Sequence, residues 1–241
     1  MNAPAGASAM RVVDLSFDVI RAELPLTEHR DSLKIWNHVD ELRVEAGRGE
    51  RLVRNGLRVG AASSDTWPAI LTVLEAAGAR FRREELFPQR GLALVIALET
   101  ITSPEPIFSY TRQGVLAGKT FSAGEKVLNV DYAYHPRLGG VTETQLSFEI
   151  RLDHGAMTWE RQEGILRQVP DHDRHLFDDL TVTVTLSPGE YLVIGAHADP
   201  GNAVLVGPRF LTGQRAGERY ETLLFITPHV YQTRRTEREP L

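Results

Sequence analysis

The sequence predicts an α+β protein in which a small α/β N-terminal module precedes a larger, mainly antiparallel β module. Helical spacing of apolar residues is concentrated before residue 87. Beyond residue 90, short segments of alternating apolar and polar residues follow one another between Gly and Pro turns. Such a run of strands predicts a sandwich, a barrel, or a sheet that a neighbouring chain completes.

The small α+β module is expected at residues 11–86. Its first strand is indicated by "RVVDLSFDVIRAEL", where apolar and polar residues alternate. A helix is expected from Asp31, because apolar residues then recur at helical spacing at Leu33, Trp36 and Val39. Asn55-Gly56 introduces a short strand. A second helix has Pro68 in its first turn, an end near Gly78, and an apolar stripe of Ile70, Leu71, Leu74 and Ala77.

The junction between the two modules is expected in "RFRREELFPQRG", which is charged and contains Pro88, and which we interpret as a solvated linker. The β-rich, secretin-like module is expected at 91–231. Its predicted strands are 91–101, 105–111, 127–135, 141–152, 178–186, 190–196, 203–206 and 219–231. Within it, "TWERQEGILRQV" is the one segment where a short helix is expected. Residues 1–10 and 232–241 are expected to be flexible tails.

Composition excludes several classes of protein. The chain is 42% hydrophobic and 24% charged, with a formal net charge of −5 and no cysteine. The negative charge gives no global attraction for nucleic acid, so no nucleic-acid partner is expected. Without cysteine there is no disulfide, thiolate metal site or cysteine nucleophile. The apolar run "LALVIAL" falls far short of the roughly 20 residues of a membrane-spanning helix, so no transmembrane helix is expected.

The stretch "GVLAGKT", from Gly114 to Thr120, is similar to a phosphate-binding loop. That loop has four residues between its glycines, whereas three separate Gly114 from Gly118. The residues that follow alternate like a strand, so no helix N-terminus is expected to bind the phosphate. We therefore interpret the stretch as a turn between two strands, and expect no nucleotide or other cofactor.

The densest titratable cluster is "DHDRH" at residues 171–175. On a helix, His172 and His175 would share a face, and two imidazoles with a carboxylate can hold zinc. Pro170 and its polar neighbours favour a loop instead. A third ligand would have to come from elsewhere in the sequence: His135, His154, His197 or His229. We therefore expect no metal site, and His172 and His175 remain the candidates for one. The chain also lacks the G-x-S-x-G, H-E-x-x-H and G-x-G-x-x-G motifs, so no enzyme activity is expected.

The last third of the chain is the most informative. It contains the phrases "GEYLVIG", "VGPRF" and "ETLLFITPHV" in that order. The run Leu223 to Ile226 places apolar residues on both faces of a strand, which requires cover on both sides by a second layer or by a partner subunit.

These phrases resemble the C-terminal domain of the bacterial secretins, the ring-forming outer-membrane channels of secretion and pilus systems. The resemblance extends over residues 125–231 and includes "LGGVTETQLSFEIRL". The matching positions are Gly189, Gly195, Gly207, Phe210, Glu221, Leu224, Thr227 and Pro228. The resemblance implies a non-enzymatic structural or assembly protein of the bacterial periplasm or outer envelope. Such a protein would self-associate through β-strands as a homo-oligomer, or bind an envelope protein partner.

Two other functions are compatible with the sequence. The first is a β-sandwich module that binds a polysaccharide, peptide or lipid, with Trp159 and Tyr132 or Tyr134 as stacking platforms. The second is a metal-dependent enzyme that uses His172 and His175.

Overall fold

A computed structural model describes residues 10–26, 33–88, 92–162, 165–197 and 203–235. The fold is mainly antiparallel β with a few short helices, which confirms that part of the predicted fold class. The helices are α1 (Ala46–Arg54), α2 (Trp67–Ala76) and α3 (Val206–Leu211). The strands are β1 (Met10–Pro25), β2 (Leu57–Ser63), β3 (Arg80–Leu86), β4 (Leu94–Ile101), β5 (Glu105–Tyr110), β6 (Leu116–Phe121), β7 (Gly124–His135), β8 (Val141–Gln162), β9 (Ile165–Leu176), β10 (Val182–Leu186), β11 (Glu190–Ala196), β12 (Thr212–Arg215) and β13 (Glu218–Arg235).

The strands form two sheets and a separate hairpin, and all their pairings are antiparallel. Sheet 1 has the order β2-β11-β13-β1-β3, with β12 also pairing with β13. Sheet 2 has the order β10-β8-β7-β4, with β9 also pairing with β8. The hairpin consists of β5 and β6. The main hydrophobic core contains side chains of both sheets, among them Ile226, Leu224, Leu128 and Phe148.

The central run of β13, Leu223–Ile226, is buried on both faces by the chain itself. Leu224 and Ile226 belong to the core that both sheets share. Leu223 and Phe225, on the opposite face, belong to a second cluster with the α2 side chains Ile70 and Leu74 and with Trp36, Ala22 and Leu24. The run of apolar residues that required two covered faces therefore has both of its layers within one chain.

The two modules expected from the sequence contribute to the same sheet. Sheet 1 takes β1, β2 and β3 from residues 11–86, and β11, β12 and β13 from residues 91–231. β1 pairs with β13 from Met10↔Arg235 to Pro25↔Tyr220. Met10 and residues 232–235, expected in the tails, are thus strand residues. The expected boundary lies where the chain passes from β3 in sheet 1 to β4 in sheet 2.

Several predicted segments have a different structure. The expected linker contains β3, because its residues 80–86 pair with β1 and leave most of their charged side chains exposed at the sheet edge. The segment expected as a short helix, "TWERQEGILRQV", contributes to both arms of the β8–β9 hairpin, through pairs such as Trp159↔Gln168. The strand expected at 203–206 is instead the approach to α3. In each case pairing or packing with distant residues overrides the local pattern.

Helix prediction succeeded at one site and failed at another. α2 begins beside Pro68 and ends just before Gly78, which has the positive φ of a helix C-terminus. Ile70 and Leu74 in this helix and Ala77 directly after it are buried, as the apolar stripe predicts. α1 was missed, since its sequence "AGRGERLVR" contains two glycines and buries only Leu52.

The buried side chain of Asn55 connects α1 to β5. Its amide nitrogen donates to the backbone oxygen of Arg51 at 2.9 Å and to that of Tyr110 at 3.1 Å. Its amide oxygen accepts from the backbone N–H of Tyr110 at 2.7 Å. Asn55 is the residue at which α1 ends, so this bidentate contact fixes the last residue of β5, next to the hairpin turn, against the helix.

We predict that Asn55→Ala lowers the free energy of unfolding by about 2–3 kcal/mol, because it leaves both main-chain groups of Tyr110 without their partner. Urea unfolding of both proteins measures the loss. The control is Asn37→Ala at an exposed position, which should stay within about 0.5 kcal/mol of the parent. Equal stability of the two variants would contradict the role of Asn55.

Candidate functional site

The three secretin-like phrases lie together in sheet 1 and α3. "GEYLVIG" spans the turn before β11 and the strand itself, and β11 pairs with the "ETLLFITPHV" segment of β13, for example Ile194↔Leu224. "VGPRF" falls in α3, which packs against the same sheet. The upstream phrase "LGGVTETQLSFEIRL" contributes the first half of β8 in sheet 2.

The three glycines of these phrases have structural reasons to be glycine. Gly189 has a φ of 83° in the turn before β11. A Cβ on Gly195 would lie 2.4 Å from Leu223 Cδ2 and 2.8 Å from Trp36 Cζ2, so its absence lets Trp36 pack on the sheet. A Cβ on Gly207 would lie 1.8 Å from the backbone oxygen of Gly56.

The other matching residues are also parts of the packing. Phe210 makes edge contacts with the rings of Phe148 and Phe177, at centroid distances of 5.5 and 5.6 Å. Glu221 and Leu224 are buried within β13. Pro228 is half-buried where β11 no longer pairs with β13, so its missing N–H interrupts no bond to that neighbour. The residues of these phrases thus have structural roles in the packing of sheet 1 and α3.

The structure corrects the interpretation of the histidine cluster as a loop. Residues 171–175 lie in β9, where His175 pairs with Ile150 and residue 172 with Asp153. Both positions lie in a strand, so the helical spacing that would have placed two histidines on one helix face does not apply. The side chain of His172 lies outside the described residues. Within the described part of the chain, no group of three or more His, Asp or Glu residues is placed to hold a metal ion.

His175 belongs to a row of rings that crosses the inner face of sheet 2. Its imidazole lies 5.0 Å from the ring of Phe121 on β6 and 4.9 Å from that of Phe177. Burial and the positive charge of Lys119 lower the pKa of His175, while Asp178 opposes the shift. These effects favour the neutral imidazole, which fills the space between β6 and the end of β9.

The expected turn at "GVLAGKT" is also corrected. The turn lies at residues 111–115, where Gly114 has a φ of 77° and its N–H donates to the backbone oxygen of Thr111. Residues Leu116–Phe121 form β6, which places Gly118, Lys119 and Thr120 in a strand. Gly118 lies under the ring of Phe108, since a Cβ there would be 2.4 Å from Phe108 Cδ1.

Two cavities flank Lys119 between β6 and residues 173–180. The larger, of about 270 Å³, is lined by residues of the β5–β6 hairpin and of the segment His175–Leu180. The smaller, of about 180 Å³, is lined by residues 119–123 and by side chains of β8 and β9 that include Leu152 and Arg174. Lys119 and His175 line both cavities. We call this paired space the β6 cleft.

A second surface is carried by the distal hairpin, which we define as residues 157–162 of β8 paired with residues 165–170 of β9. The register joins Met157 to Pro170, Trp159 to Gln168, and residue 161 to Leu166. Directly paired residues and residues two apart share a face, so Met157, Trp159 and Leu166 lie on one side. Their exposed fractions are 54%, 65% and 58%.

A buried polar network joins β7, β8 and β9 ahead of this hairpin, on the other side of the register shift between Asp153 and Met157. Glu149 accepts from Arg151 Nε at 2.6 Å and from Asn129 Nδ2 at 2.7 Å, and Arg174 lies 3.6 Å away. Burial opposes ionisation of Glu149, but these hydrogen bonds and the two arginine charges hold its pKa below the ordinary value. The network spans β7, β8 and β9, so it holds the three strands in register where the hairpin leaves the sheet.

The predicted aromatic platforms have different environments. Trp159 is exposed on the distal hairpin, whereas Tyr132 is half-buried and lies with its ring 5.1 Å from that of Phe17. Tyr134 is also half-buried. Sequence reasoning selected Trp159 but missed Met157 and Leu166, because their common face depends on the register between β8 and β9.

No protein-family model, curated protein or solved structure matches the chain. Among the described residues, no helix has the length and apolar character needed to cross a bilayer. The relationship to the secretins therefore stays a prediction from the sequence.

We predict that Gly207→Ala lowers the free energy of unfolding by about 2–4 kcal/mol, because α3 must move away from Gly56 to accommodate the new Cβ. Chemical denaturation gives the value. Gly47→Ala is the control, since a Cβ there meets nothing within 4 Å and alanine is favoured in a helix. A Gly207→Ala protein as stable as the Gly47→Ala protein would disprove the close approach.

A second prediction concerns pH. Because the pKa of His175 is lowered on folding, the unfolded chain takes up its proton first as the pH falls below about 6.5, and stability decreases there. His175→Phe should therefore lose less stability than the parent between pH 7.5 and 5.5. Urea unfolding at both pH values tests this, with His38→Gln as a control outside the ring row. Identical pH dependence of parent and His175→Phe would refute it.

Proposed function

We propose that the chain is a non-enzymatic assembly protein that self-associates through the distal hairpin. The observation that carries the proposal is the apolar face formed by Met157, Trp159 and Leu166. Each of these side chains is more than half exposed, and they are adjacent on one face of paired strands. A clustered apolar surface of this kind is typical of protein contacts, whereas single exposed apolar residues are not.

The hairpin is favoured over β13 as the contact element. The apolar run Leu223–Ile226 of β13 is covered on both faces by the chain's own residues, so that run offers no apolar face to a neighbour. The distal part of β8 pairs only with β9 among the described strands, and its base is held by the Glu149 network. A firmly based projection with an apolar face can pack against the same face of another copy.

The wider role follows the resemblance in the sequence. Within this proposal, the protein is a secretin-like structural component of a bacterial envelope, and its partner is another copy of the chain or an envelope protein. The α/β segment 11–86 and the β-rich segment 91–231 act as one assembly unit, since sheet 1 takes strands from both.

A binding module is the second candidate, and Trp159 is what favours it. An indole 65% exposed on a β-hairpin is suited to stacking on a sugar ring or an apolar ligand. In that case the protein would stay monomeric, and a soluble polysaccharide would change the fluorescence of Trp159. The two candidates therefore predict different masses for the purified protein: that of a monomer for the binding module, and that of an oligomer for the assembly protein.

We predict that the purified chain forms concentration-dependent oligomers at micromolar concentrations, and that replacing Met157, Trp159 and Leu166 together by Ser makes it monomeric. Light scattering and sedimentation velocity give the masses. The loss is expected because the substitution removes the apolar area that two copies would bury.

The matched control is Leu42→Ser, which removes an apolar side chain that is 93% exposed and lies outside the hairpin. This variant should associate like the parent. A parent chain that is strictly monomeric, or oligomers that survive the triple substitution, would exclude assembly through the distal hairpin.

A further inference from the structure

The larger cavity of the β6 cleft is small and has an apolar wall. Its volume is about 270 Å³. Pockets for drug-sized ligands have volumes of about 300–1,000 Å³, so this cavity suits a smaller molecule. Three of its lining residues, Ile107, Phe177 and Leu180, belong to the main hydrophobic core. An aliphatic group placed against them would be removed from water, which is favourable.

One face of the β5–β6 hairpin forms one side of the cavity. Ile107 pairs with Lys119 and Ser109 pairs with Ala117, so these four side chains share a face. All four residues line the cavity. The Ser109 hydroxyl makes no hydrogen bond to another described residue, so it is available as a donor or an acceptor. This side of the cavity therefore carries an ammonium and a hydroxyl.

The opposite side of the cavity carries negative charge. Asp178 and Asp179, in the short 3₁₀ helix after β9, line it together with His175. Burial and Lys119 lower the pKa of His175, whereas Asp178 raises it, so the charges of Lys119 and Asp178 both act on this imidazole. The neutral imidazole adds no charge. The lining thus has one ammonium on one side and two carboxylates on the other.

These opposite charges do not contact each other. Among the described residues, no ion pair joins Lys119 to Asp178 or Asp179, and neither aspartate side chain accepts a hydrogen bond. The Lys119 ammonium lies 5.2 Å from the ring centre of Phe121. An ammonium and carboxylates that line one cavity without touching leave room for a ligand that carries a carboxylate and an ammonium of its own.

We propose that this cavity binds a free amino acid with an aliphatic side chain, such as leucine. The ligand carboxylate pairs with Lys119 and accepts a hydrogen bond from Ser109. The ligand ammonium bonds to Asp178 and Asp179, and the aliphatic side chain packs on the apolar wall. A purely anionic ligand would be repelled by the two aspartates, and a purely cationic one by Lys119, so a zwitterion suits both sides.

This site is separate from the distal hairpin, so the two proposals can fail independently. The hairpin surface consists of Met157, Trp159 and Leu166, and none of these residues lines the cavity. Amino-acid binding is therefore measured on the protein whose three hairpin residues are replaced by Ser, as well as on the parent chain. The two proteins should bind equally well.

Ligand-observed NMR titration measures the affinity of the protein for L-leucine and for three related molecules. Saturable binding of leucine with a Kd below about 1 mM is expected. Leucinamide lacks the carboxylate and N-acetylleucine lacks the ammonium, so each should bind at least about tenfold more weakly. Glutamate should also bind more weakly, because its charged side chain would meet the apolar wall.

Substitutions assign each charge of the ligand to its partner. Lys119→Met keeps the apolar stem, and it should abolish the preference for leucine over leucinamide. Replacement of Asp178 and Asp179 together by Asn should instead abolish the preference for leucine over N-acetylleucine. A general structural defect would not divide the two preferences in this way. The matched controls, Lys34→Met and Asp65→Asn, lie at exposed positions outside the cavity and should bind like the parent.

Three results would overturn the proposal. The first is a Kd for leucine above about 1 mM, or no saturable binding. The second is equal affinity for leucine and either leucinamide or N-acetylleucine, which would show that the site does not recognise a zwitterion. This comparison needs no change in the protein. The third is a preference for leucine that survives both the Lys119 and the aspartate substitutions, since leucine would then bind elsewhere.

Discussion

The arrangement of the chain depends on the close approach of α3 to Asn55 and Gly56. The N–H of Gly207 donates to the backbone oxygen of Asn55 at 2.9 Å, and that of His197 donates to the backbone oxygen of Gly56 at 2.7 Å. The Asn55 side chain also holds both main-chain groups of Tyr110. One dipeptide thereby brings together the end of α1, the region after β11, α3 and the end of β5. A Cβ at position 207 would lie 1.8 Å from the backbone oxygen of Gly56, so the approach of α3 requires glycine there.

A buried ion cluster reinforces the same region from sheet 2. Lys126 is only 2% exposed and points into the interior, where its ammonium lies 2.9 Å from Glu99, 2.9 Å from Glu105 and 2.7 Å from the backbone oxygen of Arg209. These partners belong to β4, β5 and α3. A buried ammonium is tolerated because all three of its protons have acceptors, and loss of one acidic partner would leave a charge in the interior. Both ties hold the hairpin through β5, which leaves β6 as its outer strand.

The sequence predicted those parts whose pattern is local. β1, β11 and β13 follow from alternation or apolar runs, and α2 follows from Pro68, Gly78 and a buried stripe. The burial of β13 on both faces was also predictable, but whether a second layer or a partner covers it was not. The distal part of β8 and the whole of β9 were missed, because charged residues such as Arg174 gain their place only through Glu149 on the neighbouring strand. His175 was assigned to a loop for the same reason, because the ring of Phe121 that packs against it belongs to β6, which is distant in sequence.

The two proposed sites result from one property of this fold. Internal cover of sheet 1 leaves the apolar run of β13 unavailable for contacts, so association has to use elements that extend beyond the two-sheet core. The distal hairpin extends from the part of sheet 2 that the Glu149 network holds together. The β5–β6 hairpin is attached to the rest of the protein by the contacts of Asn55 and Lys126 with β5. In both, a fixed base carries an outer strand that pairs only with its own hairpin partner among the described residues. A strand held in this way is already in the conformation that a partner or a ligand requires, so binding costs little conformational entropy.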